Sequence, residues 1–299
     1  MTALFAAEFV KLWRRRLFIF VALASLLIAG LAQHQNHRSA ADDRQAAVSY
    51  SQQIDQQHLS PGQQRFVRDQ LAIFRSRAHA AEFFDSAGGG FFVGLGIYGT
   101  AVGAVLALLA AGLSIGGELA SGSMATWVVA VRSRRRVLIA KLAAVYATLF
   151  VVAITACALL ALGTLVIGGA PGLAFGINAG TVGKLLVALL LWTAFAGAAA
   201  VIARSPLGAV LLGVGLVALD GRVARAASGY RFASPGYAIH GLLNFRGGLG
   251  YTTRLWLEGW TSTPGLNHSI MVIVAALGLA LVLAVSLFDR IDIPVYEGT

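Results

Sequence analysis

Charged residues are scarce in this sequence. Asp, Glu, Lys and Arg make up 12% of its 299 residues, about half the share usual in a soluble domain. Acids are the scarcer sign, 13 against 23 lysines and arginines. Glu118 sits in a short polar stretch and Asp220 at the end of an apolar run, and the pattern places no other acid inside a span. Proton- and sodium-driven carriers rely on buried carboxylates, so that class is disfavoured, as is any reading from inverted repeats. Asp220, with Arg222 two residues on, is expected to form an interfacial ion pair. Cysteine is limited to Cys157, within an Ala/Leu/Val run. It excludes an internal disulfide and reads as a small apolar packing residue. No Ser-His-Asp set, paired catalytic carboxylates or zinc-protease spacing occurs, which leaves a membrane enzyme without support. Near Lys184 the chain faintly resembles a phosphate-binding loop, but Asn178 takes the first glycine position and Leu185 stands where Mg²⁺ needs a hydroxyl. His34 and His37 could share a helix face, with His58 and His79 further along. Metal sites want three or four convergent ligands with supporting carboxylates, so no metal is expected. The N-terminus shows no small-residue cleavage site.

What is abundant is apolar. Hydrophobic residues reach 58% and the mean hydropathy is +0.75, which places the chain among integral membrane proteins. The net charge of +10 would suit nucleic acid, but the basic residues flank apolar runs and form no basic face with interleaved aromatics. Topology and anionic lipid account for them.

In chain order, residues 1–16 read as an amphipathic helix lying in the membrane interface, apolar at Phe5, Phe9, Leu12 and Trp13 with Lys11 on its polar side. A short first span covers 17–32. Residues 33–90 form a polar extracytoplasmic segment with helical spacing over 46–57 and 61–84, and Ser60-Pro61 marks a helix start. Phe66, Leu71, Phe74, Phe83 and Phe84 could pack it into a small cap; a solvated hairpin with no role in recognition fits equally. The second span, 91–114, carries Gly94, Gly99, Gly103 and Ala107 at four- to five-residue spacing, a face that lets another backbone approach. That face serves packing within the chain or lines a dimer seam or substrate path. The third and fourth spans are 137–167 and 185–203, joined by a Gly/Pro loop, and Arg204-Ser205-Pro206 turns into the fifth. Residues 207–219 are too short to cross a bilayer unaided, so the fifth either continues through 227 or stops at membrane depth. Residues 220–265 form a re-entrant or extracytoplasmic segment in which 233–251 alternate apolar and helix-breaking residues, with an interfacial aromatic patch over 255–260. The sixth span is 269–288. Lys11, Arg14, Arg15, Arg16, Arg132, Arg134, Arg135, Arg136, Lys141, Arg204 and Arg290 fall on one side and favour the cytoplasm. Arg222, Arg225, Arg231, Arg246 and Arg254 on the other side dilute the bias.

The chain is organised around Ile115–Lys141, a polar stretch between two spans. Glu118 lies near its start, Gly122-Ser123 interrupts it, Met124–Val131 is apolar, and Arg132-Ser133-Arg134 precedes Lys141 at the third span. In this order the stretch resembles the cytoplasmic loop between spans two and three of ABC-2 type permease subunits of bacterial ABC exporters. The family's usual proline before the arginine turn is replaced by Ala130-Val131. The closing Phe288–Ile293 also resembles that family's ending. The likeness covers the whole chain as a hydropathy plan and, as motifs, the loop and tail only.

The resemblance implies an all-α integral membrane protein. It has six transmembrane helices, an N-terminal elbow helix, a helical extracytoplasmic insertion and a re-entrant hairpin between spans five and six. It implies a plasma-membrane location with both termini cytoplasmic, ATPase subunits and a second permease subunit as partners, and ATP and Mg²⁺ bound by the ATPase alone. The coupling contact would fall on Glu118, Gly122, Ser123, Met124 and Arg134, with Trp127 packing behind. The plainer roles are a helix-start carboxylate for Glu118 and lipid anchoring for the arginines. A different class is also open: a non-transporting membrane anchor or sensor that binds a partner through residues 33–90. Nothing in the spans selects a cargo.

Overall fold

The computed structural model describes residues 2–56, 60–84, 87–131, 133–168, 179–243 and 265–291. Apolar chain placed in lipid must satisfy its own backbone hydrogen bonds, and the described residues are helices joined by short turns, with no strand among them. Five helical stretches are long and apolar enough to cross a membrane: Val102–Ser121, Arg134–Val166, Val182–Ala203, Pro206–Ala224 and Leu266–Arg290. The architecture is that of an all-α membrane protein.

Helix α1 spans Thr2–Trp13 and α2 Arg16–Gln56. The expected end of a first span at 32 is absent: the short apolar stretch Phe18–Leu31 continues without a break into the polar segment. Its Gln/Ala/Arg-rich sequence is itself helix-forming. Helix α3, Pro61–Phe84, packs along α2. Ser60 opens it with a capping box, its N–H and hydroxyl both donating to Gln63 Oε1 at 3.0 and 2.9 Å. Val67 and Leu71 face inward, whereas Phe66, expected in the cap, points out.

The second span is two helices. Helix α4, Ala87–Gly99, stops at Thr100, and α5, Ala101–Ala111, begins after it. Two groups fix the break. Trp192 Nε1 donates to the Gly99 carbonyl at 2.8 Å, and Thr100 Oγ1 donates to Gly96 O at 2.6 Å. Helix α5 runs into a π-helical turn, Gly112–Gly116, and then α6, Gly117–Ser121. The helix thus passes the expected boundary at 114. It ends at Gly122, whose φ of 73° is the left-handed conformation that glycine adopts at helix ends.

Helix α7 is Met124–Val131, α8 Arg134–Gly168, α9 Ala179–Ala203 and α10 Pro206–Ala226. Gly183 and Lys184 lie inside α9, with no loop to wrap a phosphate. Ser205 caps α10 by accepting from Gly208 N at 3.0 Å, and α10 takes the longer of the two courses open to the fifth span. Helix α9 is the central element, contacting α5, α8, α10 and the last helix, α13 (Leu266–Arg290). The windows over α9 and α5–α6 are 72% buried, those over α10 and α13 17%. The first pair therefore forms the core and the second pair the outer side.

Between α10 and α13 lie α11, Ser228–Arg231, and α12, Pro235–Leu243. Helix α12 is buried against α13, α10 and α9. The rest of the expected hairpin and its aromatic patch lie outside the described residues. Asp220 does not pair with Arg222 as expected. It accepts from Tyr230 Oη at 2.8 Å, Ser234 Oγ at 2.9 Å and Gly236 N at 3.1 Å, pinning the start of α12 to the end of α10. Burial, with Asp220 beside it, pushes the Tyr230 phenol up to about 12. Asp220→Ala should cost about 2–3 kcal/mol, since bonds to a charged acceptor contribute more than neutral ones. Protease sensitivity around 227–234 would report it; a cleavage pattern unchanged from wild type would refute the pinning role.

A buried ion cluster behind the 115–131 loop

Positions four apart on a helix share a face, and α1 buries the row Leu4, Glu8, Leu12. An acid in the middle of that row must find partners, because an unpaired buried charge is costly. Glu8 finds them on α8 and in the π-helical turn. Its Oε1 lies 2.7 Å from Lys141 Nζ, and its Oε2 accepts from Ser114 Oγ at 3.2 Å. Lys141 also lies 2.8 Å from Glu118 Oε2 on α6. The second oxygen of Glu118 is held by Lys11, one turn beyond Glu8 on α1. The Trp127 ring of α7 stands 6.0 Å from Lys141 Nζ, near enough for cation–π attraction.

Two carboxylates thus face two ammonium groups, so the cluster carries no net formal charge. Glu8 and Lys141 are fully buried and Glu118 is 2% exposed; only Lys11 reaches solvent. The two Lys141 contacts are close ion pairs without hydrogen-bond alignment. With Glu8, Glu118 and Lys141 enclosed, the cluster fastens elements together. It joins α1, the turn and α6, and the foot of α8. Gly112 and Gly116 press the same turn onto the α9–α10 corner, where a methyl group would come within 2.9 and 2.8 Å of the carbonyl oxygens of Pro206 and Ser205.

The residues expected to touch an ATPase divide. Glu118, expected at a surface, is enclosed and ion-paired within this chain. It is not a helix-start carboxylate either, because the preceding π-helical turn already occupies the N–H groups there. Met124 is fully buried. Arg134 is turned inward as well: its Nη1 donates to Asp289 O at 3.1 Å and Ile291 O at 2.7 Å, closing the C-terminal end of α13. Gly122 and Trp127 are half-buried and Ser123 is exposed. Arg132 lies outside the described residues.

The glycines of the second span face helices of the same chain. Gly94 lies against Cys157 and Leu160 of α8, Gly99 against Leu243 of α12, and Gly103 against the Tyr98 carbonyl and Leu189 of α9. Two members of the cluster escaped the sequence reading. Glu8 was hidden by taking Phe5 and Phe9 as the apolar face, and Lys141 by taking it as the opening of a span. The signals were a lone acid in the Leu4–Leu12 row and a lone cation inside an apolar run. The chain matches no protein-family model, curated protein or solved structure, so function has to be argued from this geometry.

Proposed function

We propose that this chain is the membrane-spanning permease subunit of an ATP-driven ABC exporter, with ATP and Mg²⁺ on a separate ATPase subunit. One observation carries the reading: the α6–α7 segment is fixed to both α1 and α8 by buried charge. A segment that passes another protein's stroke to membrane helices needs a rigid mounting, so that the motion becomes a shift of packed helices. The outer face of this segment offers Ser121, Ser123, Thr126, Val129 and Ala130, all exposed, and Val129 is 58% exposed. That face, edged by Gly122 and Trp127, is the docking surface; Glu118 and Met124 stand behind it. In this reading the chain crosses the bacterial plasma membrane six times with both termini cytoplasmic. Two permease subunits, identical or related, enclose the path.

The test is a mild-detergent pull-down of the tagged protein with ATPase activity read on the eluate. A nucleotide-hydrolysing subunit should co-elute. Ser123→Arg with Val129→Glu should cut its recovery about tenfold, the effect of losing 1.4 kcal/mol of binding, while the melting temperature stays unchanged. Recovery of no such subunit with the wild-type chain would sink the proposal. The long α2–α3 hairpin, of 41 and 24 residues, favours the anchor or sensor as a second reading. In that case a non-ATPase partner should be captured and then lost on Phe66→Glu.

A further inference from the structure

Opposite its buried row, α1 presents two parallel rows to the outside: Ala6–Val10–Arg14 and Ala7–Lys11–Arg15. Together they line a shallow, open groove along this one helix. Its floor is small and apolar at one end, with Ala6, Ala7 and Val10 exposed, and cationic at the other. Lys11 leans on Glu118, but Arg14, Arg15 and the adjoining Arg16 form no ion pair among the described residues. The helix continues past Trp13 just far enough to set these arginines in place, Arg14 N donating to Val10 O at 3.1 Å and Arg15 N to Leu12 O at 3.1 Å. Directly after them α2 exposes Phe20, Leu23, Leu27 and Leu31, each more than half exposed. The spacing of these residues makes one apolar stripe along the helix.

We infer that this groove is a binding site for the phosphate headgroup of an anionic phospholipid. Arg14 and Arg15 grip the phosphate, Lys11 flanks it, and Ala6, Ala7 and Val10 make room beside it for the rest of the headgroup. Arginine suits the role because its planar fork meets two phosphate oxygens at once. The exposed stripe on α2 starts where the arginines end, so acyl chains descending from the headgroup have an apolar surface to follow. A soluble acidic protein would use the cations and leave both the small-residue floor and the stripe idle. The inference stands without the transporter reading, since it needs only that α1 lie at the headgroup level of a membrane.

Native mass spectrometry of the full chain in detergent, offered equal phosphatidylglycerol and phosphatidylcholine, tests it. The wild type should retain phosphatidylglycerol in preference. Each cation at a membrane surface contributes about fivefold, so Arg14→Gln with Arg15→Gln should lower the preference roughly twentyfold. The Arg14→Lys, Arg15→Lys chain should lose only a few-fold. Ala7→Phe, which fills the floor and leaves every charge in place, should reduce retention of phosphatidylglycerol, whereas Arg135→Gln with Arg136→Gln should leave the preference intact. Three results would overturn the assignment. One is an unchanged preference in the Gln variant, including the case where that variant instead loses a co-purifying soluble protein. Another is an equal fall in the Arg135/Arg136 variant, which would mean diffuse surface charge. The third is inorganic phosphate alone competing as well as the lipid does, which would make this a site for soluble anions.

Discussion

Lys141→Met should lower the stability of the purified protein by about 3–5 kcal/mol, the usual cost of removing one partner from a buried ion pair. Lys141 is fully buried and is the cation that both Glu8 and Glu118 approach. Without it, Glu8 keeps only the Ser114 hydroxyl, a neutral donor facing a full negative charge. Removing the whole set of buried charges should behave differently. Buried ion pairs replaced by neutral groups of similar volume are often close to neutral in stability. The triple variant Glu8→Gln, Glu118→Gln, Lys141→Met should therefore recover most of the loss, with Lys11 turning its ammonium to water on its flexible stem. Thermal denaturation in detergent of the single and triple variants makes the comparison. If the single variant melts with the wild type, the cluster does not join these helices. If the triple variant recovers stability and still captures the ATPase subunit but loses its ATP hydrolysis, the charges serve motion more than folding.

Gly103→Ala should be the other severe change, costing about 3 kcal/mol, toward the upper end for overpacking. A methyl group there would lie 1.8 Å from the Tyr98 carbonyl oxygen and 2.9 Å from its carbon. Both are backbone atoms, so no rotamer can relieve the contact. Backbone movement is resisted on either side: the Tyr98 hydroxyl meets Ser25 Oγ at 2.9 Å, and the Gly99 carbonyl is held by Trp192. Gly163 and Gly215 are the controls, because a methyl at either meets nothing within 4 Å. Alanine there should be neutral or should stabilise by up to about 1 kcal/mol through helix propensity. Equal melting temperatures for Gly103→Ala and Gly215→Ala would remove the tight α4–α5 crossing from the account.

Much of the fold was legible because hydropathy and helix punctuation are local. The apolar runs gave the long helices, Ser60-Pro61 and Ser205-Pro206 marked starts, and Gly122 marked a stop. What was not legible depends on partners far along the chain. The break at Thr100 is set by a Trp192 side chain, and the inward turn of Arg134 by carbonyls at 289 and 291. Hydropathy averages over a window, so it registers Glu118 as a polar point in a loop and cannot show that Lys141 and Glu8 enclose it. The acid of that stretch, Glu118, has its partners on α1 and α8, 107 residues back and 23 residues ahead. Asp220 shows the same limit: a nearby arginine suggested an ion pair, whereas a hydroxyl, a phenol and an amide from the next turns took the carboxylate.

The ion cluster also dictates an order of assembly. Lys11 and its partner Glu118 are 107 residues apart, and Lys141 comes later still. A ribosome adding about 5–20 residues per second leaves α1 waiting roughly five to twenty seconds for its counter-charges. During that interval Glu8 has to remain hydrated, which holds α1 at the water boundary while α2 through α7 are made. Only when Lys141 emerges can α1 seat its inner row. The N-terminal helix is thus translated first but seated only after α8 has begun.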